Sequence, residues 1–544
     1  MGIPAYFSYL IKNHKNIIYR FNDTCVDNFY LDCNSIIYDY VNKNSFDNIN
    51  QTIDEYENNI ITNVINKIIE YIQIIKPLQY IYITFDGVPP IAKLKQQKTR
   101  RYKTFYQNMY FGNDKKWNTC AITPGSIFMN KLSEKIYNYF NNEYLYNNTK
   151  ILLSCSDKSG EGEHKIYKFI RDNPDKHLNY TTYIYGIDAD LFMLSLNHIM
   201  YCKNIYLYRE TPEFIKSIDS TLEPNFNYTI DINILSVQIY NIINNKQIID
   251  SSDAINLNKY IQDYIFICFI LGNDFMPHFP SINIRLNGID ILLNLYKQLF
   301  ANNDKFLVKD SNIEFRNFKQ YIESLSKNEE NMLENVYKMR NKYDNTFKYK
   351  NCYENINNAN ISIKDRLDIY TILPCWERNI EKFININNEG WQYRYYYSLF
   401  NYDINIESNI IKNICINYIE TLEWTLKYYT IGCIDWQHFY KYDYPPLLID
   451  LYKNLPYFNI EFITEKSKFK LHPISQLSYV LPRDSLNLLP DNIHNYLLKN
   501  YENHYRKDYK NIYAFCKYIW ESHIIFPEIN IEKFNNEINE LMIQ

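Results

Sequence analysis

No segment of this 544-residue chain approaches about 18 uninterrupted apolar residues, so a membrane span is not expected. Cysteine pairs at C-x-x-C spacing are also missing. The eleven cysteines are scattered singly (Cys25, Cys33, Cys120, Cys155, Cys202 and onward), a pattern of reduced thiols rather than of a zinc site or a disulfide framework. The opening MGIPAYFSYL meets Lys12, His14 and Lys15 without an apolar h-region, and Tyr6 stands where myristoylation at Gly2 requires Ser or Thr. No Walker A motif is present, which argues against ATP-driven unwinding, and no internal repeat is found. Charge of neither sign is in excess: 58 Lys and Arg against 62 Asp and Glu leave a formal −4, so a site for a polyanion has to be local.

What remains is a large soluble chain with 46% hydrophobic residues and room for two to four domains. Its 55 tyrosines, with abundant Asn, Ile and Lys, reflect AT-rich coding, cellular or viral, rather than chemistry. Residues 1–300 alternate strand-like runs (FYLDC, YIYITFD, ILLSC, TYIYGID) with helical patterns (IITNVINKIIEYI, GSIFMNKLSEKIYNYF, EHKIYKFIRD). That alternation predicts an α/β fold with a mainly parallel central sheet flanked by helices. Residues 301–354 are expected to form a helical connector, and 355–544 a mostly helical second lobe that closes the site.

Seven carboxylates in five motifs carry the chemistry: Asp32 (YLDCNSIIY), Asp86 (YITFDGVPP), Glu161 and Glu163 (SGEGEHK), Asp188 and Asp190 (YGIDADLFML) and Asp274 (FILGNDFMPH). Most follow an apolar run, at the strand ends where sites form in such sheets. Acids that converge there need a compensating cation. All-oxygen ligands favour Mg²⁺ or Mn²⁺, and a pair of such ions is suited to phosphodiester cleavage. The i, i+2 spacing of Asp188 and Asp190 would put both on one side of an extended strand end. Glu161 and Glu163 would open a helix whose free N–H groups suit phosphate. His164 is expected to be a hydrogen-bonded structural residue.

A basic run follows Asp86. No acid occurs before Asp114, while Lys93, Lys95, Lys98, Arg100, Arg101 and Lys103 fall within eleven residues. If AKLKQQKTRRYK is helical, Lys93, Gln97, Arg100 and Arg101 share one face and could hold phosphate oxygens beside the metals.

These motifs, with ITPGSIFM and the later GWQYRYYY, EWTLKYYTIGCIDWQHFYKYDYPP and QLSYVLPRDSLNLLP, resemble in order the signatures of XRN-type 5′→3′ exoribonucleases. The resemblance implies a PIN/flap-nuclease-like core and a processive enzyme of mRNA decay. Such an enzyme would degrade single-stranded RNA bearing a 5′-monophosphate to mononucleotides, using two Mg²⁺ or Mn²⁺ ions. It assigns the seven acids to the metals and Lys93, Gln97, Arg100 and Arg101 to the 5′-phosphate. Pro90 and the N-terminal segment would then lie at the entrance that strips duplex. The family's base-stacking His is Tyr38 here, its partner Trp is Trp424 or Trp436, and a second Trp of the pattern is His438. A cytoplasmic monomer is expected, in a host's cytoplasm if the gene is viral, and decapping partners are not implied because the family's C-terminal domains have no counterpart. A flap-type DNA nuclease and a catalytically silent RNA-binding scaffold are the alternatives.

Overall fold

A computed structural model describes residues 3, 5–22, 24–47, 49–111, 117–141, 149–244, 254–301, 303, 305–346, 362–405, 409–464 and 466–543. Its centre is a seven-stranded sheet of β1 (Ile18–Arg20), β2 (Asn28–Asp32), β3 (Tyr80–Thr84), β4 (Lys150–Ser154), β5 (Thr181–Tyr185), β6 (Asn204–Glu210) and β7 (Asn227–Asp231). The order across the sheet is β1-β7-β6-β5-β2-β3-β4. Strands β2 to β6 are parallel, and β7 and β1 close one edge antiparallel. After β2 the chain builds outward through β3 and β4, then returns to lay β5 on the other side of β2. The direction of winding thus reverses between β2 and β5, the place where parallel sheets open a crevice at their carboxyl ends.

Both faces of the sheet are covered, which is why its strands read as near-continuous apolar runs. Phe29 and Leu31 point into one core with Ile81 and Ile83. Tyr30 and Ile184 point into the other with Leu207 and Ile230. Over the first face lies the helix Ile53–Ile75, which starts at a capping box formed by Thr52 and Glu55 and buries Ile60, Val64, Ile68 and Ile72 along one stripe.

The second half does not sit apart. Helix Ile410–Thr430 is buried almost continuously from Ile414, and Leu422, Trp424 and Leu426 belong to the same core as Ile184 and Leu207. The stretch predicted as a connector holds a short hairpin (Val308–Lys309 with Asn312–Ile313) and the helices Phe315–Ser326 and Glu329–Thr346. Phe315, Phe318 and Tyr321 of the first helix lie in that same core, and residues 347–354 fall outside the described residues.

One ionic knot fixes the second half internally. Glu381, 1% exposed, receives Arg340 at 2.6 and 2.8 Å and Arg378 at 2.6 Å, while the Phe515 N–H donates at 2.7 Å. Glu381→Ala would leave two buried guanidiniums without their anion, a defect of about 3–5 kcal/mol. Calorimetric unfolding should show a clearly lowered transition, and a cost under about 1 kcal/mol would mean water replaces the carboxylate there.

Candidate active site

Three neighbouring strands deliver their carboxyl ends to the crevice. Asp32 ends β2, Asp86 stands two residues beyond β3, and Asp188 three beyond β5. Asp190 opens the helix Asp190–Asn197 instead of continuing an extended strand, so the predicted i, i+2 strand geometry does not form. Glu161 stands at the N-cap position of the helix Gly162–Asp172, its side chain making no capping bond, and Glu163 sits in the first turn. Asp274 arrives from the loop after helix Ala254–Phe269. Gly162 is what lets this helix start so close: a Cβ there would lie 2.5 Å from Asp32 Oδ1 and 3.0 Å from Thr84 Oγ1. Its N–H donates to Asp86 Oδ1 at 2.7 Å, and Asn34 Nδ2 donates to Asp86 Oδ2 at 2.7 Å.

Packing the acids together raises their proton affinity. Burial first, then Asp86, Asp188 and Glu161, hold Asp32 well above the usual carboxylate range. Burial, Glu161 and Asp190 do the same to Glu163. Asp190 is pushed up to about 6 by burial and by Asp274. Asp274 itself is lowered: burial raises it, but Lys93 pulls it down.

Two buried carboxylate oxygens, Asp32 Oδ1 and Asp190 Oδ1, have no hydrogen-bond donor. Glu161, Glu163 and His164 each bring a ligand atom within 4.8 Å of the others. Unfilled buried oxygens among mutually repelling acids are the donor set of a hard divalent cation. His164 differs from its expected structural role, since its Nδ1 is buried without a partner and its ring stacks on Tyr428 at 3.8 Å.

The basic run is helical as predicted, over Ile91–Phe111, but its residues divide between tasks. Lys93 lies inside the acid cluster, its Nζ 2.5 Å from Glu161 and 2.8 Å from Asp274. Lys98 is fully buried against the His504 ring at 2.7 Å. Arg101 donates to Thr123 Oγ1 at 2.6 Å, and its Nη1 is buried without an acceptor. Gln97 accepts from Gln476 at 3.4 Å. Tyr38, 36% exposed, feels both Arg101 and Arg100.

Two stacking and entrance assignments need correction. Trp424 is 0% exposed, its indole N–H donates to the Asp435 carbonyl, and its ring stacks on Tyr428 at 4.7 Å, so it offers no face to a base. Pro90 is buried at the base of the basic helix, its carbonyl accepting from the Lys93 N–H, and presents no exposed edge. Trp436 is half-buried, with its carbonyl accepting from Ile91 N–H and Lys470 4.4 Å over its ring. Met1, Gly2 and Pro4 of the N-terminal segment lie outside the described residues. The sequence reading missed Tyr428, which donates to Glu161 Oε1 at 2.7 Å, and Tyr429, which hydrogen-bonds Asp190. Their tandem position at the end of a buried helix was the available signal.

The chain is similar to known proteins over most of its length. Residues 1–211 match the family described as XRN 5'-3' exonuclease N-terminus, and residues 254–369 and 377–543 match the Xrn1 helical domain. The 5'-3' exoribonuclease 1 of Saccharomyces cerevisiae is 26% identical over 90% of this chain and 40% of its own length. The 5'-3' exoribonuclease 1 of Homo sapiens is 26% identical over 90% of this chain and 31% of its own length. The 5'-3' exoribonuclease 2 of Arabidopsis thaliana is 25% identical over 90% of this chain and 62% of its own length. The chain therefore spans less than two thirds of each of these relatives.

A carboxyl whose folded pKa is raised destabilises the fold once pH exceeds its unfolded value, about 4, and does so fully above its folded value. For Asp190 that window runs from about 4 to about 6. A divalent cation that binds the ionised acids relieves this cost. The rise in Tm on adding Mn²⁺ over chelator should therefore grow between about pH 4 and about pH 6, and Asp190→Asn should flatten the growth. A metal increment independent of pH would remove the acids as its ligands.

Proposed function

The chain belongs to the XRN 5′–3′ exonuclease family, and from that premise we propose that it is a processive 5′→3′ exoribonuclease acting on RNA with a 5′-monophosphate. Asp32, Asp86, Glu161, Glu163, Asp188, Asp190 and Asp274 would hold two Mg²⁺ or Mn²⁺ ions. Such ions supply activation of water and stabilisation of the leaving oxygen at a phosphodiester.

The chain's own groups do the rest. Arg101 and Arg100 hold the terminal phosphate with charge-assisted hydrogen bonds, and Gln97 adds a neutral donor. Tyr38 stacks on the terminal base, as any aromatic ring can, with Trp436 as the candidate on the other side. Lys93 holds Glu161 and Asp274 in place, and Tyr428 and Tyr429 fix the rotamers of Glu161 and Asp190. Each cut exposes a new 5′-monophosphate, so repetition needs no further device. The reading places the enzyme in cytoplasmic mRNA decay, as a monomer.

The observation that carries this reading is the buried, acceptor-free Nη1 of Arg101 on the same helix whose first turn enters the acid cluster. A donor kept dry beside a nuclease-like acid set suits an anionic strand end.

The test uses one 3′-labelled RNA carrying 5′-monophosphate, triphosphate or hydroxyl, with a DNA of the same sequence alongside. Chelator-sensitive loss of the monophosphate RNA alone is expected. Asp188→Ala should slow it by about a thousandfold, the scale of several kcal/mol. Arg101→Ala should erase most of the preference for monophosphate over hydroxyl, worth about 1.5–3 kcal/mol. Equal cleavage of all three RNAs would point to an endonuclease, and cleavage of the DNA in preference to a flap nuclease.

A further inference from the structure

A second lysine reaches the strand ends from which the acids emerge. Lys165 lies in the first turn of helix Gly162–Asp172. Its Nζ donates to three backbone carbonyls, Phe85 at 2.7 Å, Cys155 at 2.9 Å and Ser154 at 3.4 Å. An ammonium carries three donors, and here each has an acceptor. The first turn is an unfavourable place for a cation, because it meets the positive end of the helix dipole. The three carbonyls compensate it there.

These carbonyls lie where the chain leaves the sheet toward Asp86 and Glu161. Strands β3 and β4 end at Thr84 and Ser154, and the Phe85 N–H still donates across to the Ser154 carbonyl at 3.0 Å. Beyond that rung the two outgoing loops stay paired. The Gly87 N–H donates to the Gly160 carbonyl at 2.9 Å, and the Gly160 N–H to the Val88 carbonyl at 2.8 Å. Gly87 allows the approach, since a Cβ there would run into the Lys158 carbonyl. One loop delivers Asp86 and the other delivers Glu161. Helix Gly162–Asp172 grips the end of β3 twice: its Gly162 N–H meets Asp86 Oδ1 at 2.7 Å, and Lys165 holds the carbonyl of the preceding residue. Burial and Glu161 raise the Asp86 carboxyl, and the charges that oppose them include Lys93 and Lys165.

We propose that Lys165 is a positioning residue whose ammonium sets the spacing of Asp86 from Glu161 and Glu163, and with it the affinity of the cluster for a divalent cation; the role of that cation rests on the function proposed above. Lys93 pairs with the carboxylates themselves, whereas Lys165 holds the backbone that carries them. Ligands of a working site have to stay within about 0.5 Å of the productive geometry. Loss of a group that orients metal ligands costs about 10–100-fold in metal affinity.

The test is direct binding of Mn²⁺ to the full chain without RNA, read from the paramagnetic resonance signal of the free ion, for the wild type, Lys165→Met, Lys165→Gln and Lys319→Met. Lys319 is the comparison, a buried lysine outside the acid cluster whose Nζ donates to the Leu455 carbonyl. Lys165→Met should weaken Mn²⁺ binding by about 10–100-fold. Lys165→Gln, which keeps an amide donor without the charge, should weaken it less. Lys319→Met should lower Tm and leave Mn²⁺ affinity within about twofold of wild type. If Lys165→Met does not fold, Lys165→Gln carries the comparison. Unchanged affinity in a folded Lys165 variant would make Lys165 a purely structural lysine and overturn the proposal, and so would equal weakening by Lys319→Met. Weakened Mn²⁺ binding in a chain that degrades no monophosphate RNA would uphold the positioning role and fault the proposed function instead. A wild type that binds no Mn²⁺ would overturn both.

Discussion

The ammonium of Lys93 stands between Glu161 and Asp274, and the arrangement around it follows from the cost of keeping carboxylates together at one end of a buried sheet. Two unit charges 4 Å apart repel by about 4 kcal/mol at the effective dielectric of a protein surface, and more with burial. The fold spreads that cost over several devices. Lys93 supplies a full positive charge, the Gly162 N–H and the Asn34 amide satisfy Asp86, and the Tyr428 hydroxyl donates to Glu161. Asp32 and Glu163 are left with raised proton affinity, and these are the groups a divalent cation would compensate.

That balance requires both halves of the chain. Glu161 is placed by the sheet and its following helix, but its hydrogen-bond donor arrives from the end of helix Ile410–Thr430. The basic helix is likewise held from both sides: its first N–H meets the Trp436 carbonyl, Lys98 packs on His504 and Lys103 reaches the Trp520 and Ser522 carbonyls. The angle at which its arginines face the acids is therefore set by residues more than 300 positions away.

The acids were legible because most of them interrupt or close an apolar run, a cost only function or compensation explains: Leu31 before Asp32, Phe85 before Asp86. The mainly parallel sheet was legible for the same reason, its strands being apolar on both faces. The edge strand β1 is three residues long, too short for periodicity to register. Tyr428 and Tyr429 escaped because helix Ile410–Thr430 is buried on all sides, so no stripe marks which side meets the acids. The ion pairs of Lys93 with Glu161 and Asp274 were not legible, because helical spacing gives an angle around an axis and not what stands opposite each turn.

The link from Glu161 to Tyr428 has a consequence for how the protein is made. The carboxylates are all synthesised by residue 274, yet Tyr428 and Tyr429, which fix two of them, come more than 150 residues later. Trp424 and Leu426 arrive at the same time to complete the core beneath them. Chains fold progressively as they leave the ribosome. A nascent chain thus carries its acids in an unfinished setting until helix Ile410–Thr430 has emerged, and the acid cluster is completed only then.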